Sequence, residues 1–237
     1  MADIAVMACL NGGRTRSEHG AIPLSPAELA ADAVAVRRAG AFAVHVHARD
    51  ARGTQTMAAA ACDAVVEAIH AAAPGLPVGL TTSSAIDPDP FARAAAVRAW
   101  RRPPNFVAVT LSDLGGAGII RAASHAGIPV EVALASPDDA DELARGPFAH
   151  QVVRALVEVR GGADEAGAIS RRVPDGVPQL WHGYGVGTWD VLAAAVAEGH
   201  AVRVGFEDVL ELPDGRVAQS NAELVEAAVR LGAGVGE

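Results

Sequence analysis

Short β-branched runs alternate along the chain with longer alanine-rich stretches whose apolar positions recur at helical spacing. Ile4–Leu10, Ala41–His47, Pro77–Thr82 and Asn105–Leu111 read as strands. So do Pro129–Leu134, a run within His150–Val159, Pro178–Gly183 and Val202–Phe206. The first helix opens at Ser25-Pro26-Ala27-Glu28, where Ser25 can cap, Pro26 suits the first helical position and Glu28 completes a capping box; Gly40 stops it. Ala58–Ala73 places Val65, Val66 and Ile69 on one face. Asp89 can cap a helix running to Trp100, and Gly116–Ala126 is closed by Gly127. Pro137–Arg145, Asp164–Arg171 and Thr188–Glu198 follow. Ser220–Leu231 is the last helix, opened by a second capping box, Ser220 and Glu223.

Strict alternation of eight strands and eight helices implies a parallel sheet with right-handed crossovers. Eight such units in 237 residues favour an α/β fold closed into a single (β/α)8 TIM barrel over an open doubly wound sheet. No linker divides the chain, so residues 1–237 are expected to form one catalytic domain.

Composition removes several function classes. Apolar residues make up 51% of the chain but aromatics only 4%, which suits helix-on-strand packing and gives no stacking platform for nucleic acid. Net charge is −9, with no basic run of the kind that binds phosphate backbones. Cys9 lies in a strand-like run and Cys62 in a helical one, and two cysteines make no disulfide framework; both read as reduced packing residues. Met1–Leu10 carries Asp3 and lacks a basic start, so it does not read as a signal peptide. No uninterrupted apolar stretch approaches the roughly 18 residues of a membrane span. A cytoplasmic location is the expectation.

In a barrel of this kind chemistry gathers where strands end and βα loops begin. Strand two ends His45-Val46-His47-Ala48-Arg49-Asp50, and residues two apart on a strand face the same side, so the two imidazoles can share one metal. Strand eight ends Arg203-Val204-Gly205-Phe206-Glu207-Asp208, which sets a carboxylate at the barrel mouth. Two histidines and a carboxylate leave coordination positions open, as a catalytic metal needs; zinc, manganese, iron and nickel all suit such ligands. After strand one come Asn11-Gly12-Gly13-Arg14-Thr15-Arg16, whose glycines permit close backbone approach to a ligand and whose Asn11 and Arg14 or Arg16 are candidates for binding a carboxylate or phosphate. Thr81, Thr82, Ser83 and Ser84 offer hydroxyls after strand three, and Ser112 and Asp113 follow strand four. Glu131 reads as a paired interior carboxylate. Gly183-Tyr184-Gly185-Val186-Gly187, before a helix, is a weak phosphate-cradle signal, and His182 at a strand end is a further candidate. The remaining histidines read as surface or packing residues.

HVHARD after strand two, VRVGFED at strand eight, the following SNAELV and the early IPLSPAEL together resemble the β-keto acid cleavage enzymes, in the same order over nearly the whole chain. The resemblance implies a zinc-dependent TIM barrel that condenses a β-keto acid with acetyl-CoA, giving acetoacetate and a new acyl-CoA. It implies His45, His47 and Glu207 as metal ligands and Arg203 and Asp208 as a catalytic pair with Asp208 the base. Thr81, with Ser83 and Ser112 nearby, falls among the substrate contacts. It also implies a homo-oligomer, with a tetramer expected. Where the family carries a glutamate after strand one, this chain has Gly13-Arg14, which suits an anionic or neutral substrate arm rather than an amine. The chain also ends sooner after its last helix than family members do, so CoA and subunit contacts are expected to differ. A metal-dependent hydrolase or lyase is the competing enzyme reading, and a metal-binding barrel without turnover the non-enzymatic one.

Overall fold

The computed structural model describes residues 4–148 and 151–234. His150, and the first three residues of the Met1–Leu10 run, lie outside them. Eight parallel strands close into a barrel in chain order: β1 Val6–Cys9, β2 Ala41–Val46, β3 Val78–Thr81, β4 Phe106–Thr110, β5 Val130–Leu134, β6 Val152–Val159, β7 Gln179–Gly183 and β8 Ala201–Val204. The pairing of β1 with β8 closes the ring and excludes the open sheet.

The helices between them are α1 Pro26–Arg38, α2 Ala59–Ala72, α3 Pro90–Ala99, α4 Gly116–His125, α5 Pro137–Arg145, α6 Ala163–Ser170, α7 Thr188–Ala197 and α8 Asn221–Gly234. The capping box of α1 forms as its sequence specifies, with Ser25 and Glu28 satisfying each other's backbone donors. Asp89 caps α3 by accepting from Phe91 N–H. At α8, Ser220 accepts from Glu223 N–H while the Glu223 carboxylate takes Gln219 N–H, one residue earlier than a closed capping box would.

The strand interior is layered. At the N-terminal end of the strands Arg154 and Glu131 form a 2.6 Å ion pair, and the guanidinium lies over the Phe42 and Phe106 rings. Glu131 is therefore the paired interior carboxylate its position suggested. Above it Met7, Ala43, Phe106, Ala133, Leu156 and Leu180 form an apolar layer. Gly79 is required there: a Cβ would stand 2.2 Å from the Phe106 ring. Leu and Val side chains on the outward faces of the strands pack against the helices in a second, larger core. The apolar layer leaves the C-terminal ends of the strands as the place where inward polar side chains collect.

Candidate active site

β2 points His45 inward above Ala43, and His47 follows at the strand's exit. Both are buried, with ring centroids 5.2 Å apart. β8 is shorter than its sequence pattern suggests: it stops at Val204, and Gly205–Asp208 turn over the top of β1, with Asp208 N–H and Val209 N–H both donating to Gly205 C=O. Gly205 has no room for a side chain, since a Cβ would lie 2.0 Å from Cys9 C=O. This turn carries Glu207 to the histidines. Its carboxylate lies 3.7 Å from His45 Nε2 and 3.5 Å from His47 Nε2. One ligand atom from each of the three lies within 4.8 Å of the others.

The donor chemistry of this cluster fits a divalent metal. His45 Nδ1 and Glu207 Oε2 are buried without a hydrogen-bond partner, a costly state unless something else engages the groups. Burial pushes the His45 imidazole down to about 3, so it is neutral, the form that ligates. His47 Nδ1 is held by the Gln55 side-chain oxygen, and its Nε2 faces Glu207. Burial raises the Glu207 carboxyl, but Arg203, then His47 and His45, more than offset it and hold the group well below its usual range.

Arg203, on β8, links the cluster to a second buried group. Its Nη2 lies 2.5 Å from Glu207 and 2.9 Å from Asp208, and its Nε donates to the other Asp208 oxygen at 3.3 Å. Asp208 is fully buried and receives a further hydrogen bond from the Cys9 thiol at 2.7 Å. Cys9 is thus reduced, as expected, and engaged in the site rather than only in packing. His182, fully buried on β7, stands at ion-pair distance from Asp208 (3.4 Å) and from Glu158 (3.5 Å). Burial pushes this imidazole down, but Asp208 beside it outweighs that and brings it up to about 9.

These groups surround a cavity of about 320 Å³ at the C-terminal end of the barrel. His45, His47, Glu207, Arg203, Thr81 and Ser83 lie on its wall. The other expected contacts do not. Asn11 is fully buried and its amide is spent: it donates to Pro23 C=O and His47 C=O and accepts from His47 N–H, so it fixes the His47 backbone. Arg14 reaches Glu18 at 3.1 Å and the Glu207 carbonyl at 3.4 Å, outside the cavity. Ser112 is exposed on the far side of the β4 exit. Of the loop glycines, Gly13 lines the cavity, while Gly12, at φ +50°, approaches protein, with Glu207 Cγ 2.3 Å from where a Cβ would be. Arg49 of the HVHARD run pins this loop by donating to the Gly12 and Arg14 carbonyls. In the expected phosphate cradle, Gly185 N–H donates to Asp208 C=O. Tyr184 of that run lines the cavity, as do Glu158, Arg160 and Gln55, which the sequence did not single out.

The model of one family, beta-keto acid cleavage enzyme, matches residues 3–157 and 146–237 of this sequence. The chain belongs to the β-keto acid cleavage enzyme family. A 3-keto-5-aminohexanoate cleavage enzyme from Fusobacterium nucleatum subsp. nucleatum is 25% identical over 250 residues, spanning 98% of this chain and 92% of that protein. Among solved structures, ObcA in binary complex with oxaloacetate superposes with a TM-score of 0.74 at 16% identity over 91% of this chain. This chain spans 64% of ObcA's length. KGPDC from Streptococcus mutans covers both chains in full at a TM-score of 0.60 and 12% identity. Likenesses at that identity establish the barrel, while the family match establishes a β-keto acid cleavage enzyme.

Proposed function

We propose that this enzyme is zinc-dependent and condenses a β-keto acid with acetyl-CoA, releasing acetoacetate and a new acyl-CoA. The single observation that supports the reading most is the cluster of His45, His47 and Glu207 on the cavity wall, with one ligand atom of each within 4.8 Å of the others. Three protein ligands would hold the metal and leave positions for substrate. Zinc bound there supplies a Lewis acid that polarises the substrate ketone.

The chain's own groups do the rest. Arg203 presents a fixed, desolvated cation at the cavity wall, where negative charge develops as the carbon–carbon bond breaks. Asp208 lies behind it and grips the guanidinium through both carboxylate oxygens. Asp208 keeps in this proposal the base role that the resemblance implies, with Arg203 and the Cys9 thiol orienting its carboxylate. Thr81 and Ser83 offer hydroxyls to the substrate's oxygens. We assign Asn11 to holding His47, and give Arg14 and Ser112 no substrate contact. A cytoplasmic homo-oligomer acting on small molecules completes the reading; among the described residues no helix is long and apolar enough to cross a membrane.

The test is metal content by mass spectrometry, wild type beside the H45A/H47A double variant, followed by acetyl-CoA consumption in the presence of β-keto acids. About one zinc per chain, lost in the double variant, with acyl-CoA formed only when acetyl-CoA is supplied, is the expected result. Product formed without any CoA thioester would favour a lyase or hydrolase. No metal bound after incubation with zinc would remove the mechanism.

A further inference from the structure

The inward row of β6 continues one step past the strand. Arg154 lies in the ion pair with Glu131, Leu156 and Glu158 follow at alternate positions, and Arg160 comes next in the row, on the cavity wall. Its guanidinium lies over the Tyr184 ring, 4.4 Å from the centroid, and Tyr184 lines the same cavity. That ring stands edge-on to the buried His182 ring at 5.0 Å. The turn behind Arg160 is also held, since Gly161 N–H donates to the Glu165 carboxylate at 2.6 Å. Among the described residues no carboxylate stands at ion-pair distance from Arg160. Arg203 takes Glu207 and Asp208, and the other carboxylate on the wall, Glu158, faces His182 at 3.5 Å. Arg160 is a positioned cation with no anion of its own.

Its place in the ring gives it a direction. β6 is four strands from β2 in the closed eight-stranded barrel, so Arg160 stands across the mouth from His45 and His47. Between them the cavity is lined by Ala108, Ala133 and Leu156 of β4, β5 and β6, which are apolar and mostly small. A β-keto acid with its keto end at the metal cluster would run its acyl arm over these side chains toward a guanidinium. The charge balance points the same way. With both imidazoles neutral, as metal ligation requires, the charged side chains of the wall are Arg160, Arg203, Glu158 and Glu207, and they sum to zero. A divalent metal leaves two positive charges in excess, which one molecule with two carboxylates neutralises.

We propose that the natural substrate is a β-keto diacid, and that Arg160 selects it by binding the carboxylate at the end of its acyl arm. The inference rests on the proposed function above and names the substrate class of that site. It moves to β6 the anion-reading role that the sequence suggested for Arg14, which lies outside the cavity. Arg160 is exposed at the rim, so its contact with a carboxylate is a charge-assisted hydrogen bond in partial solvent. Such a contact sets the choice among arms and leaves the reacting end alone.

β-Ketoadipate, β-ketohexanoate and 3-keto-5-aminohexanoate carry an anionic, a neutral and a cationic arm on the same length of chain. Their binding to zinc-loaded wild type, R160M and R160K is measured by titration calorimetry without acetyl-CoA, at low and high salt. Turnover with acetyl-CoA is followed on the same samples. Wild type should bind β-ketoadipate about tenfold more tightly than β-ketohexanoate, with the amine weakest, and the preference should shrink as salt rises. R160M should remove the preference by weakening β-ketoadipate alone, while R160K, which keeps the charge without the planar fork, should retain part of it. In turnover R160M should raise KM for β-ketoadipate about tenfold, with kcat and the KM for acetyl-CoA little changed. Equal binding of the anionic and neutral arms by wild type, or tightest binding of the amine, overturns the assignment and leaves the proposed function standing. A KM for acetyl-CoA raised in R160M with every β-keto acid would make Arg160 a reader of CoA phosphates and also overturn it. Arg160-dependent binding of β-ketoadipate with no acyl-CoA formed from any of the three overturns the condensation and leaves the diacid site standing.

Discussion

The two ends of this barrel hold similar residues in opposite states. At the N-terminal end one arginine and one glutamate cancel each other and are covered by two phenylalanine rings. At the C-terminal end Arg203 is shared between two carboxylates, while His45 Nδ1 and Glu207 Oε2 have no partner. Buried charge by itself therefore does not mark function in this fold. What separates the ends is setting: each leaves one carboxylate oxygen without a hydrogen bond, Glu131 Oε1 below and Glu207 Oε2 above, but the upper carboxylate stands beside two imidazoles on a cavity wall.

That contrast can be broken from either side. The largest effect is expected from removing both metal-site histidines, which should abolish zinc binding and acyl-CoA formation while leaving a folded barrel, read by circular dichroism and metal analysis. Next is R154M, which strands Glu131 in the interior. It should cost about 3–5 kcal/mol in denaturant unfolding and leave the zinc site's affinity little changed in the protein that remains folded. Q55A frees the His47 ring from its outer partner, and zinc affinity by competition with a chelator should fall about ten- to a hundredfold. The smallest effect is expected at Asp32, where burial raises the carboxyl to about 6 against an Asn221 hydrogen bond that lowers it. The folded chain then binds this proton more readily than the unfolded one. The stability penalty is complete above the folded value and disappears as pH falls below the ordinary carboxyl range near 4. D32N should raise stability by about 2 kcal/mol at pH 8, with the gain vanishing by pH 4 in thermal melts.

The barrel was legible because its signals are local. Capping residues, glycine stops and apolar periodicity each act within one element, and Pro137–Arg145 has the bounds its pattern gave. The grouping of His45, His47 and Glu207 was legible for a related reason: two histidines two apart on a strand must face together, and Glu207 follows a strand that ends at the same mouth. Contacts set by tertiary approach were not legible. Nothing local says that β8 stops at Val204 because the next residue must pass against Cys9 C=O, or that Gly12 is small for the sake of Glu207. Asn11 and Arg14 looked like ligand contacts because polar residues beside glycine do; the fold spends one on His47 and turns the other outward. Glu158 could have been found from the alternation Arg154, Leu156, Glu158 along β6, but a charged strand with an uncertain start gave little reason to trust its inward face.

Asn221, at the start of α8, donates to Leu10 C=O, 211 positions earlier in the chain, and to Asp32 on α1, and it accepts from Phe206 N–H in the turn that carries Glu207. During synthesis the histidines are made early, but their carboxylate partner is not held in place until this residue has left the ribosome and docked. A nascent chain arrested before it would expose two imidazoles without a third ligand. Under the proposed function, tight metal capture would be a timing signal, one that reports that the ring has closed.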